Sequence, residues 1–171
     1  MSILTIDQPI TKQTLVTRKQ SSRKTSFFTI GYEQSTPEYF LELLHENEIA
    51  MIVDVRAVPL SRKKGFSKTQ LQNLLSESGI QYMHLQTLGA PKQIRDALRE
   101  TGSWWSYVKG YSRVLAERQT DIEFLTDLAT KKRICLLCFE RNPKECHRSL
   151  IAIEMEKAAA NSELQVQHIC C

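Results

Sequence analysis

The chain has 171 residues, 42% of them hydrophobic and 25% charged, with only six glycines and five prolines. That suits one globular domain with a sizeable core and excludes collagen-like, low-complexity and two-domain organisations. The net charge of +4 is local: residues 1–26 hold Lys12, Arg18, Lys19, Arg23 and Lys24 against Asp7, and the remainder is neutral.

No apolar run approaches the eighteen residues a membrane helix needs, so no membrane partner is expected. Thr5, Asp7, Gln8 and Pro9 interrupt the N-terminal apolar residues, which argues against a secretory signal. The five cysteines, at 135, 138, 146, 170 and 171, are odd in number and end in an adjacent pair. This is no extracellular disulfide framework, and a cytoplasmic, reducing setting is the simpler reading.

Residues 1–26 are polar and aperiodic and are expected to form a basic leader. Residues 27–171 then read as one α/β domain. Phe27 to Ile30 form a short strand ending at Gly31. Ser35-Thr36-Pro37-Glu38 opens a helix with a hydroxyl cap, an early proline and a first-turn acid, and Phe40, Leu43 and Leu44 give its apolar face. Ala50 to Val55 is a second strand. Ser67-Lys68-Thr69-Gln70 has the pattern of a capping box, followed by Leu71, Leu74 and Leu75 and closed by Gly79.

Ile80 to Leu85 alternates as a third strand. Leu88 to Thr101 reads as a loop with a helical turn. Trp104, Val108, Tyr111 and Leu115 share a helical face, and Ile122, Leu125, Leu128 and Ala129 define another helix. Ile134 to Phe139 is continuously apolar, as expected of a strand covered on both faces. Asn142-Pro143-Lys144-Glu145 opens a helix predicted to run to about Asn161. Leu164 to Ile169 alternates like an edge strand. The order predicts a mostly parallel, doubly wound, Rossmann-like sheet of about five strands.

Open parallel sheets bind ligands beyond the carboxyl ends of their strands. The residues just after each strand therefore carry the functional expectation. Arg56 follows the second strand, and Arg62-Lys63-Lys64 lies in the same acid-free loop. Cys138, Glu140, Arg141, Cys146, His147 and Arg148 follow the fourth. Guanidinium groups near helix N-termini suit phosphate or carboxylate, which nominates Arg56, Arg62 and Arg148 as anion-binding. The competing reading pairs Arg56 with Asp54 or Glu140 and leaves Arg62 to Lys64 as a solvated run.

Cys138 has three readings: a thiolate nucleophile, a metal ligand with Cys146 and His147, or a small core residue. Cys135 and Cys138 lie three apart in one strand and so face opposite ways. They cannot share an ion, and no metal site is assigned. Glu140 and His147 are the candidate acid/base groups. Trp104 is expected in the core, and Trp105 is left open between packing and base stacking.

Thr29-Ile30-Gly31-Tyr32, Val53 through Arg62, Gly65-Phe66-Ser67, Tyr82-Met83-His84-Leu85 with Leu88-Gly89, and Leu137 through Arg148 together resemble the family known as domain of unknown function 488, over residues 27–155. The resemblance implies a compact α/β domain, and it groups Arg56, Arg62, Cys138, Glu140, Cys146, His147 and Arg148 on one surface. It carries no reaction and no catalytic residue with it.

Ile52 to Arg56 and Cys138 are also similar to rhodanese-like sulfurtransferases. Those cradle a persulfide in small-residue N–H groups, whereas Phe139, Glu140, Arg141, Asn142 and Pro143 follow the cysteine here.

The function expected on these grounds is an enzyme-like domain that binds a phosphate-bearing small molecule or nucleic acid. The alternatives are a non-catalytic nucleic-acid-associated module using the leader, and a thiol or metal protein built on Cys138, Cys146 and His147. Cofactor and oligomeric state are not specified by these residues.

Overall fold

The computed structural model describes residues 25–159 and 164–170. Most of the basic leader, residues 1–24, lies outside the described residues. So do 160–163 and Cys171.

Among the described residues, five strands and six α-helices follow one another as β1 (Thr25–Gly31), α1 (Pro37–Glu46), β2 (Met51–Asp54), α2 (Lys68–Glu77), β3 (Gln81–His84), α3 (Lys92–Thr101), α4 (Trp104–Ala116), α5 (Gln119–Lys131), β4 (Ile134–Cys138), α6 (His147–Ala158) and β5 (Leu164–Ile169). All strand pairings are parallel and the sheet order is β3-β2-β4-β1-β5. The Rossmann-like α/β class expected from the alternation of elements is the class observed. β1 opens at Thr25, inside the stretch that composition assigns to the leader.

Strand side chains alternate between two cores. Phe27, Val53, Ile134 and Leu136 face one core with Tyr111 and Leu115 of α4, Ile122 and Leu125 of α5, and Ile151 and Met155 of α6. Phe28, Ile30, Ile52, Cys135 and Leu137 face the other with Phe40 and Leu44 of α1 and Leu71 and Leu75 of α2. Every residue of β4 is buried, which explains its unbroken apolar run.

Three local expectations need correction. The stretch from Leu88 to Thr101 starts at the end of the 3-10 turn Gln86–Leu88 and then forms the ten-residue helix α3, not a loop with a single helical turn. Ser67 precedes α2 without capping it: its hydroxyl bonds Ser61 O, and Gln70 Oε1 accepts from Gly65 N, so no capping box forms. Asn142 caps only the 3-10 turn Pro143–Glu145. Cys146 is then extended, at φ −136° and ψ 140°, and α6 starts at His147.

Candidate functional site at the carboxyl edge of the sheet

The loops after β1, β2 and β4 meet at one end of the sheet. Glu33 N–H donates to Phe139 O at 2.9 Å, Arg141 N–H to Glu33 Oε2 at 3.0 Å, and Val55 N–H to Leu137 O at 3.1 Å. Two glycines permit this closeness. A Cβ on Gly31 would sit 1.8 Å from Glu140 O, and one on Gly89 would sit 2.3 Å from the Ala57 backbone. Beyond the strand ends lies an open cleft of about 820 Å³. Its walls include Arg56, Arg62, Lys63, Arg95, Arg99 and Tyr107, and its floor includes Cys138, Glu140 and His147.

The floor is assembled from β4 and the start of α6. Cys138 shares a strand face with Ile134 and Leu136 and so points toward α4 and α6, while Cys135 is wholly buried in the other core. The break between the 3-10 turn and α6 brings Cys146 and His147 back over the strand end. Glu140 Oε2 accepts from both Cys138 Sγ and Cys146 Sγ, each at 3.0 Å. His147 Nδ1 lies 3.6 Å from Cys138 Sγ and 3.9 Å from Cys146 Sγ. Its Nε2 is 2.9 Å from Val55 O, and Tyr111 meets its ring edge-on at 5.3 Å.

The two thiols differ in acidity. Burial pushes Cys138 well above the usual thiol range, helped by neighbouring Cys146 and Glu140. Burial acts on Cys146 the same way, but hydrogen bonds with Cys138 and His147 outweigh it and hold this thiol well below its usual range. His147 answers in kind: burial opposes its charging, but Cys146 outweighs that and raises it. Burial, with the charge of Cys146, also raises Glu140. The acidic thiol is therefore Cys146, whereas Cys138 is the one that borders the cleft. A persulfide on Cys138 would meet the Glu140 carboxylate directly, an arrangement opposite to that of a sulfurtransferase cradle.

The three nominated arginines have three different fates. Arg148 is wholly buried. It donates from Nε to Thr29 Oγ1, from Nη1 to Glu140 O and from Nη2 to Arg141 O. It pins the loop after β4 and has no surface open to the cleft, which corrects its reading as an anion ligand. Arg56 borders the cleft but is only 5% exposed. Nε and Nη2 bind the two oxygens of Asp54, and Nη1 donates to Tyr32 Oη and Phe66 O. Burial works against its charge, yet the Asp54 carboxylate more than compensates and raises its pKa. The structural pairing with Asp54 is thus present. Arg62 is exposed on the cleft wall and meets no hydrogen-bond or ion-pair partner among the described residues.

Two cleft residues had no motif to announce them. Arg95 on α3 is half-buried and spends only Nε, on Ala90 O at 3.0 Å. Tyr107 on α4 is buried and stacks between Trp104 and Tyr111. Its phenol has no hydrogen-bond partner among the described residues, and burial raises its pKa so that it remains an O–H donor beside the cysteines. Trp104 packs partly against the core as expected, while Trp105 is 71% exposed under Lys109 Nζ.

A parallel sheet with helices on both faces, with a cleft over its carboxyl edge, defines a small Rossmann-like α/β protein. The chain belongs to the family described as domain of unknown function DUF488, whose match spans residues 36–154. β1 lies before that span although it sits inside the sheet. No curated protein and no solved structure is a significant match to the chain.

Proposed function

We propose that this chain is an enzyme-like domain that binds a phosphate-bearing ligand, a nucleotide or a nucleic-acid segment, in the cleft over the sheet. Its floor of Cys138, Glu140 and His147 would supply the reactive groups, with Cys146 behind it. One observation carries the reading: Arg56, Arg62, Lys63, Arg95 and Arg99 line the same cleft as Cys138, Glu140 and His147. Arg62 and the free Nη groups of Arg95 are the donors left for an anion, with Tyr107 as a neutral third.

Lys63 and Arg99 contribute mainly charge. Lys63 Nζ donates to the carbonyls of Tyr32 and Glu33, and Arg99 pairs with Asp96. Arg56 adds a buried guanidinium already matched by Asp54. A cytoplasmic setting fits the free thiols of Cys138, Cys146 and Cys170. Among the described residues no helix is long and apolar enough to cross a membrane.

Calorimetric titration with a nucleoside diphosphate, a short oligonucleotide and inorganic phosphate tests this. Arg62→Ala and Arg95→Ala are each expected to weaken the bound ligand about tenfold to a hundredfold, the value of a hydrogen bond to a charged group. Absence of binding by the wild type, or binding unchanged in both variants, overturns the proposal.

A further inference from the structure

Two thiols, a carboxylate and an imidazole converge at the base of the cleft, where the end of β4 meets the start of α6. Cys138 Sγ, Glu140 Oε2, Cys146 Sγ and His147 Nδ1 all lie within 4.8 Å of one another. We propose that they are the four ligands of a tetrahedral zinc ion, held between the end of β4 and the start of α6.

The geometry suits the ion. Zinc bonds of about 2.3 Å to sulfur and about 2.0 Å to nitrogen or oxygen place neighbouring tetrahedral ligands about 3.3–3.8 Å apart. The observed separations are 3.0 Å from each sulfur to Glu140 Oε2, and 3.6 and 3.9 Å from the sulfurs to His147 Nδ1. These separations lie within about half an ångström of the tetrahedral values, and every other pair in the set lies within 4.8 Å. Two thiolates and an imidazole select zinc over magnesium or calcium, which prefer all-oxygen shells.

The imidazole is already set for coordination. His147 Nε2 donates to Val55 O, which leaves the Nδ1 lone pair directed at the sulfurs. Zinc-ligating histidines are oriented by this same bond from the far ring nitrogen to a carbonyl. Tyr111 packs edge-on against the ring and limits its rotation. Cys146 is held extended as the N-cap of α6, with its sulfur on Glu140 Oε2 and within 4.8 Å of Cys138 Sγ.

The nearby guanidinium groups do not occupy the place. Arg148 is spent on Thr29 Oγ1 and two carbonyls, and Arg56 on Asp54, Tyr32 and Phe66. Zinc entry releases to solvent the protons held by the thiols and the imidazole, leaving two thiolates, one carboxylate and a neutral imidazole around the dication. Because Cys138, Glu140 and His147 border the cleft, the ion faces it, and Glu140 is the ligand a cleft-bound group displaces most readily. This site stands apart from the anion reading, since it is measured with no cleft ligand present.

The test is metal analysis of the full chain purified from zinc-supplemented medium, followed by chelation and refilling with zinc or cobalt(II). One zinc per chain is expected, with a higher unfolding midpoint than the chelated protein. Cobalt should show thiolate charge-transfer absorption and the intense visible bands of tetrahedral coordination. Cys138→Ser and Cys146→Ser, near-isosteric changes checked for folding by circular dichroism, should lower the zinc content to about zero. Glu140→Gln should keep the thiolate-to-cobalt band but bind zinc more weakly. The Cys170→Ser, Cys171→Ser double variant should retain the full metal.

A folded wild type that takes up neither ion overturns the proposal. So does metal that follows Cys170 and Cys171, or a Cys138–Cys146 disulfide in protein purified under reducing conditions.

Discussion

Asp54 is wholly buried, and its carboxylate oxygens are met by Arg56 and by Tyr82 Oη. Removing one member of such a pair leaves a buried charge without its counter-charge. Arg56→Ala should therefore lower stability by about 3–5 kcal/mol, measured by urea unfolding. Replacing both members with apolar residues of similar size, as in Arg56→Met with Asp54→Leu, should cost less than Arg56→Ala alone.

Gly31 sets a second demand at this scale, because its backbone touches Glu140 O. Gly31→Ala should displace the loop after β4 and, beyond destabilising the fold by more than the usual 1–3 kcal/mol of overpacking, disturb Cys138 and Glu140 together. Reactivity of the Cys138 thiol toward an alkylating probe reads that disturbance directly. Of these residues, the position of Cys138 at a strand end was legible from its apolar run. The convergence of Glu140 on two thiols was not, since residues 138, 140 and 146 meet only through a turn whose shape no single side chain encodes.

At the level of elements, Arg148 works as a fork from α6 into the loop after β4. Its three acceptors are Thr29 Oγ1, Glu140 O and Arg141 O. Arg148→Met should leave the two carbonyls without this donor, costing about 1–3 kcal/mol for each that water does not reach. Arg148→Lys should fail to restore the loss, because an ammonium lacks the planar fork. Faster amide exchange at Glu33 and Arg141, whose N–H groups tie the two loops together, would locate the damage.

The pairing of β1 with β5 carries a pH response. His168 Nδ1 is 2.8 Å from Thr29 Oγ1, with Arg148 and Glu156 as its charged neighbours. Burial, followed by Arg148, holds its pKa below the ordinary imidazole value. The unfolded chain therefore takes up a proton first, and this contribution to stability is full above the ordinary imidazole pKa and is lost as the pH falls below it. His168→Gln should flatten the slope of stability against pH between neutral and mildly acidic conditions.

The elements also show why some were readable and others not. β4 and the buried faces of α1 and α5 follow plain apolar periodicity. The polar helix α3 has no buried residue, and Pro91 precedes it without capping it through a side chain, so little marks it as a helix. In α6 the Asn142-Pro143 signal was real, but it opened the 3-10 turn rather than the helix.

Across the whole molecule the body of the chain is electrically neutral, yet its cleft gathers cations from the β2 loop and from α3. Ligand binding there should weaken as ionic strength rises, and weaken less steeply once Arg62 or Arg95 is removed. Titrations at several salt concentrations give both slopes. The class of fold was legible because alternation of strand and helix patterns survives without tertiary knowledge. The pairing of Arg95 and Tyr107 with the floor was not, because α3 and α4 reach the cleft only after the chain has crossed the sheet.

The strand order has one more result, and it concerns how the protein is made. β4 is hydrogen-bonded to both β1 and β2, in registers that join Phe28 to Cys135 and Met51 to Ile134. A nascent chain that has delivered β1, β2 and β3 can form only the β2–β3 ladder, one of the four strand pairings described. Condensation of the sheet must wait until β4 has been made, and the apolar edges of β1 and β2 stay unpaired with it until then.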